Sequence, residues 1–213
     1  DYTDVSYLMK TANLPVFLQV RNDSKFKTLS DMITYMKDTN NVPVTIGTIG
    51  VGTAGHLAME KIRKDFGISN YTNIPFKSTA DAWNGLTQGG VDAILCATDI
   101  DVDFLRLATA SSKRSTLYPD VPTFTEMGYP MNIGTTNVLV TDKDVPQEIQ
   151  DVLIDAFTKA MNDPETIATF KKVGIDLDFQ NAADTKKMVE EELSWGPDML
   201  KDLGLYVNDP HQK

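Results

Sequence analysis

Cysteine is almost absent. Cys96 is the only one among 213 residues, so no intrachain disulfide can form, which by itself does not decide the compartment. It lies in the apolar run Ala93-Ile94-Leu95-Cys96-Ala97 and reads as a small buried hydrophobe rather than a nucleophile. The only histidines, His56 and His211, are far apart in sequence, and no Cys/His spacing suggests a metal. No apolar run approaches the roughly 18 residues of a membrane span. Positive charge is short as well: 20 Lys and Arg against 30 Asp and Glu give a net charge of −10. That balance argues against a nucleic-acid groove and leaves anion binding to local dipoles that work against the overall field. There is no nucleophile elbow G-x-S-x-G, no internal repeat and no low-complexity tract. The D-x-D-x-D run of Asp99, Asp101 and Asp103 lacks the glycine and glutamate of a calcium loop, with Phe104 and Ala110 in their places, and reads as a solvated acidic loop. The opening Asp1-Tyr2-Thr3-Asp4-Val5 has neither a leader pattern nor start-of-domain character. It reads as a fragment or as a chain whose leader has been removed, the fragment being favoured.

What is present is an α/β alternation. Pro15 to Val20 reads as a strand. Thr28-x-x-Asp31 opens a helix with the stripe Leu29, Met32, Ile33 and Met36. Val44 to Ile49 is a strand, and Gly50-Val51-Gly52-Thr53-Ala54-Gly55 turns it into a helix carrying Ala58, Met59, Ile62 and Phe66, with Gly67 as its left-handed stop. Asn73 to Phe76 is a short strand, and Ser78-x-x-Asp81 caps a helix with Ala82, Trp83 and Leu86 inward. Val91 to Leu95 and Leu105 to Thr109 are further strands. Short loops between alternating strands and helices predict a largely parallel sheet.

Ser111 to Pro130 is a loop rich in turn formers, and Asn137 to Val140 a strand leading out of it. The chain then becomes mostly helical. Pro146 starts a helix with Ile149, Val152, Leu153, Ala156, Phe157 and Met161. Asp163-Pro164-Glu165 starts another that stops at Gly174. A last helix runs from about Asp184 to Gly204, with a kink expected at Pro197. Residues 20–136 therefore read as a complete α/β lobe. Residues 1–19 and 137–213 read as the remainder of a second lobe, because three amphipathic helices with a single strand lack a sheet to cover.

The glycine turn is an anion site by its physics: backbone N–H groups converge at the positive end of a helix dipole. Its G-x-G-x-x-G spacing also fits a dinucleotide fingerprint, but the strand after it ends Pro75-Phe76-Lys77-Ser78 without the acid that holds ribose hydroxyls. Lys77 suits a 2′-phosphate, so an NADP-dependent enzyme stands as the alternative.

Several motifs taken together resemble the substrate-binding proteins of tripartite tricarboxylate transporters, the Bug family of extracytoplasmic receptors. They are Gly50-Val51-Gly52-Thr53-Ala54-Gly55-His56-Leu57, Ile74-Pro75-Phe76-Lys77 and Gly89-Gly90-Val91-Asp92. With them stands the loop from Lys113-Arg114-Ser115 through Pro119-Asp120-Val121-Pro122-Thr123 to Glu126-x-Gly128-Tyr129-Pro130. The resemblance covers about residues 12 to 204. It implies a type II periplasmic-binding-protein fold, here with one complete and one incomplete lobe, since members carry a further amino-terminal stretch. It also implies a periplasmic or extracytoplasmic receptor, lipid-anchored or not, that is monomeric at full length and hands a di- or tricarboxylate to membrane permease subunits. No catalytic residue, metal, cofactor or nucleic acid is implied.

On this reading the ligand meets the turn at Gly50, the backbone of Val51, Gly52, Thr53 and Ala54, and the hydroxyls of Thr48 and Thr53. His56 either reaches the ligand or packs in the first helical turn. Lys77 and Ser78 form a second helix start at the same end of the sheet, and Thr98 and Asp99 follow the next strand. Arg114 reads as a loop anchor near Asp120. Binding by this chain alone is expected to be weak, for want of contacts from the incomplete lobe.

Overall fold

The computed structural model describes residues 4–97, 103–172 and 174–205. These divide into two compact units, one within Asn13–Thr135 and Thr169–Asp176, the other within Asp1–Ala12, Thr136–Ala168 and Leu177–Lys213. One long strand, β1 (Val5–Val20), contributes its first half to the smaller unit and its second half to the larger.

The larger unit continues with α1 (Leu29–Lys37), β2 (Val44–Thr48), α2 (Ala54–Phe66), β3 (Tyr71–Pro75), α3 (Thr79–Thr87), β4 (Ala93–Ala97) and β5 (Leu105–Thr109). Its strands lie in the order β3-β2-β4-β1-β5. β2 runs parallel to β3 and β4, as strands joined through helices must, and β1 is antiparallel to β4 and β5. The register places Thr48 beside Pro75, Val16 beside Ala97 and Phe17 beside Thr109. The carboxyl ends of β2, β3, β4 and β5 therefore share one edge of the sheet.

Local chemistry accounts for these elements. Thr28 Oγ1 accepts the Asp31 N–H at 3.1 Å, and the Asp31 carboxylate accepts the Thr28 N–H at 3.0 Å. This reciprocal cap starts α1, whose stripe of Leu29, Met32, Ile33 and Met36 is buried. α2 buries Ala58, Met59 and Ile62 and ends on Gly67, left-handed at φ +66°. Asp92 locks the start of β2: its Oδ2 accepts from both the N–H and the hydroxyl of Thr45 at 2.8 Å. The Phe76 ring fills the space between β2 and α3 that Gly47 and Gly85 leave open; a Cβ on either glycine would come within 2.7 Å or 2.5 Å of it. Cys96 is fully buried, and burial pushes its thiol pKa up to about 12, so it packs as a hydrophobe.

The smaller unit contains β6 (Gly134–Asp142), α4 (Gln147–Met161), β7 (Asp176–Asn181), α6 (Ala182–Asp202) and the adjoining start of α5 (Pro164–Lys172); β6 and β7 both pair with β1. The buried Lys10 of β1 meets Asp178 of β7 at 2.6 Å. One expectation needs correcting. Residues 176–181, read as a connection, form β7, and the polar–apolar alternation of Asp176-Leu177-Asp178-Phe179 is the period-2 signal that points to it. α6 starts at Ala182, with Asn181 capping the Asp184 N–H, and continues through Pro197 to Asp202. The expected stripe of α4 is present but uncovered: none of the helix is buried, and Ile149 and Val152 are 51% and 65% exposed.

Candidate ligand site

Between β2 and α2 the chain makes the glycine turn. Gly50 and Gly52 take φ of +124° and +80°, a region where a Cβ would be strained, so both positions need glycine. Gly55, in the first turn of α2, lies so close to β4 that a Cβ there would stand 1.9 Å from the Leu95 carbonyl oxygen. The absence of that one side chain sets the start of α2 directly over the carboxyl half of β4.

Within the turn, the Thr53 hydroxyl donates to Gly50 O at 2.8 Å instead of capping the helix. The fully buried Thr48 donates to Asn73 Oδ1 of β3 at 2.8 Å, with a longer approach to Gly50 O at 3.4 Å. Both hydroxyls thus brace the turn from inside. The Gly52 N–H donates to His56 Nδ1 at 3.0 Å. His56 is 7% exposed; its Nε2 lies 3.9 Å from Glu60 Oε1, one helical turn on. Burial lowers the imidazole pKa below its ordinary value, with Glu60 pulling the other way. Glu60 in turn accepts the Tyr71 hydroxyl of β3 and pairs with Arg63 at 2.6 Å.

A helix leaves its first N–H groups without intrahelical partners. With no side-chain cap from Thr53, the backbone donors of Val51, Thr53 and Ala54 are the groups of this turn suited to an outside anion, and Val51 is 53% exposed. Ser78 follows β3, whose Pro75 pairs with Thr48, and caps α3 by accepting the Asp81 N–H at 3.1 Å. Lys77 beside it is exposed. Thr98 and Asp99 lie outside the described residues, as do Asp101 and His211; Asp103 is exposed, and its carbonyl accepts from Asn22 at 3.1 Å. Sequence reading passed over Asn73 and Glu60. The i, i+4 spacing of His56 and Glu60 was a readable signal, whereas the Thr48–Asn73 contact depends on strand register alone.

The loop after β5 closes on itself. Arg114 Nε meets both Glu126 carboxylate oxygens at 3.0 Å, and Nη1 donates to Pro119 O at 2.9 Å. Glu126 also accepts the Thr123 N–H at 2.7 Å while its own N–H donates to Thr123 Oγ1. The Thr123 N–H first, then Arg114, hold the Glu126 carboxyl below its usual range. Arg114 is therefore a loop anchor, with Glu126 and Pro119 as its partners. Where this loop meets the sheet edge, Leu14, Pro15, Phe17, Ala97 and Tyr118 line a mostly apolar cavity of about 170 Å³. A larger cavity of about 500 Å³ lies within the smaller unit, where its charged residues Lys186 and Glu190 already face each other at 3.9 Å. The turn, with its converging donors, is the place where chemistry favours an anion.

A profile of the tripartite tricarboxylate transporter family receptor matches residues 1–205. A UPF0065 protein of Cupriavidus necator is 30% identical over 207 residues, covering 95% of this chain and 63% of its own length. The chain spans between 51% and 63% of the curated relatives it matches. Among solved structures, a TctC solute binding protein from Polaromonas superposes with a TM-score of 0.84 at 21% identity, over 94% of this chain and 70% of its own. An R. palustris protein solved with adipate superposes with a TM-score of 0.73 at 20% identity, over 94% and 69%.

Proposed function

The chain belongs to the tripartite tricarboxylate transporter receptor family, and from that premise we propose that it captures a small dicarboxylate or tricarboxylate for delivery to membrane permease subunits. The observation that carries the chemistry is the glycine turn, where outward donors meet the positive end of α2. One ligand carboxylate would accept from the N–H groups of Val51, Thr53 and Ala54. Lys77 would add positive charge from the turn after β3. Binding makes and breaks no covalent bond; its work is desolvation and hydrogen bonding of a carboxylate by preorganised donors. We place the protein outside the cytoplasm, monomeric at full length, with or without a lipid anchor. Among the described residues no helix is long and apolar enough to cross a membrane.

A thermal-shift screen of adipate and other C4 to C6 dicarboxylates against NADP tests this reading. A ligand at a hundredfold its Kd contributes about 2.7 kcal/mol, which for a chain of this size raises Tm by roughly 5–11 °C. The expected result is saturable stabilisation by at least one acid, abolished by Gly52→Ala, whose Cβ is strained at φ +80°. Stabilisation by NADP and by no acid would overturn the reading in favour of a nucleotide-dependent enzyme.

A further inference from the structure

A buried imidazole sits directly behind the donors of the turn. His56 is the third residue of α2, and its ring folds back so that Nδ1 accepts the N–H of Gly52 at 3.0 Å. The geometry defines the tautomer: Nδ1 must carry the lone pair, so the proton is on Nε2, on the side of Glu60 at 3.9 Å. Only neutral imidazole can make this bond. The arrangement resembles a capping box in which the N3 side chain reaches one residue further back, to the residue before the cap.

Resting on the carboxylate reading above, we propose that neutral His56 is a positioning residue of the ligand turn, holding Gly52 left-handed so that the N–H groups of Val51, Thr53 and Ala54 converge on the ligand. Protonation would turn Nδ1 into a donor facing a donor and release Gly52. The added positive charge favours an anion and works against that release, even though the Glu60 carboxylate faces the imidazole from the next turn of the helix. Behind Glu60 stand Arg63 on the same helix and Tyr71 on β3, which share that carboxylate. Release of Gly52 disperses three donors that point at the ligand, whereas the charge acts from behind the turn, so affinity falls as pH drops through the imidazole titration.

The test uses the 213-residue chain, with adipate as the probe unless another acid ranks higher in the screen. Isotope-edited NMR, run from pH 7.5 downward through the imidazole titration, should show the Gly52 amide and the His56 ring titrating together. His56→Asn puts an amide oxygen near the place of Nδ1; it should keep adipate affinity within about threefold of wild type at pH 7.5 and remove the part of the pH dependence that comes from the imidazole. His56→Gln lacks an acceptor at that place and should bind roughly three- to tenfold more weakly, the size of one neutral hydrogen bond. Protonation of adipate itself acts equally on every variant, so the comparison cancels it. A Gly52 amide indifferent to the His56 titration, or equal affinities in His56→Gln and wild type, overturns the proposal while leaving the carboxylate reading intact. If no acid binds the wild type at any pH, the carboxylate reading itself is refuted and the role of His56 falls with it.

Discussion

Substituting Gly55 by alanine sets helix propensity against tertiary packing. From sequence alone the change should help: alanine is favoured over glycine inside a helix by about 1 kcal/mol, partly because the unfolded chain loses freedom. The structure predicts the opposite sign. The new Cβ would stand 1.9 Å from the Leu95 carbonyl oxygen, a backbone atom in the buried strand β4 that has no rotamer to change. Relieving the clash to 3.0 Å requires an opening of about 1.1 Å between α2 and β4, which strips contacts from Ala58, Met59 and Ile62. Overpacking of this kind costs about 1–3 kcal/mol, and a rigid backbone partner puts Gly55→Ala at the upper end. After the propensity gain, a net loss of about 2 kcal/mol remains, a fall in Tm of roughly 4–8 °C. Urea denaturation followed by Trp83 fluorescence, with Trp195→Phe in both proteins, reads the larger unit selectively. Because the same shift moves the glycine turn, the acid binding proposed there should weaken with it. Unchanged or higher stability in Gly55→Ala would refute the close approach of α2 to β4.

Three further outcomes follow from the same structure. Thr28→Ala removes the reciprocal cap of α1 and should cost about 1 kcal/mol in the same denaturation assay, while Thr28→Ser should retain most of it. Gly85→Ala and Phe76→Leu should be coupled: the alanine Cβ meets the Phe76 ring at 2.5 Å, so a double-mutant cycle should show Gly85→Ala costing less beside leucine than beside phenylalanine. Two groups set opposite pH trends. The lowered pKa of His56 gives stability that is present above its unfolded value of about 6.5 and lost as pH falls through that value toward the folded one. The half-buried Glu192 is shifted up by burial, partly offset by Lys10, so its contribution is present below the unfolded glutamate value and lost as pH rises through the folded one. Glu192→Gln should therefore be at least as stable as wild type at pH 7 and lose that advantage near pH 4.

The glycine turn, the capped starts of α1 and α3, the stop at Gly67 and the alternation of strands and helices were all legible, because each depends on residues within a few positions of one another. The motifs that carry the family resemblance were legible too, but much of their content is structural. Arg114, Pro119, Thr123 and Glu126 tie one loop together, and Asp92 fastens the start of β2. Part of the family signal thus marks residues that hold the scaffold together. The strand β7 was missed although its alternation was visible, because a six-residue run says little until its partner β1, over 150 positions away, is known.

By itself the sequence determined the family, the α/β class and a turn whose glycines suit an anion, since composition, caps and backbone conformation are local properties. Only the tertiary structure decided how that turn is built. It set Thr48 and Thr53 to bracing the turn from within, placed the ring of His56 on the Gly52 N–H, and made Gly55 the contact between α2 and β4. It also showed Ile149 and Val152 of α4 exposed, in keeping with a stripe that lacks a sheet to cover. The physical reason is common to all of these: a side chain's periodicity says which way it faces, but what it meets there is settled by strand register and by elements distant in the chain.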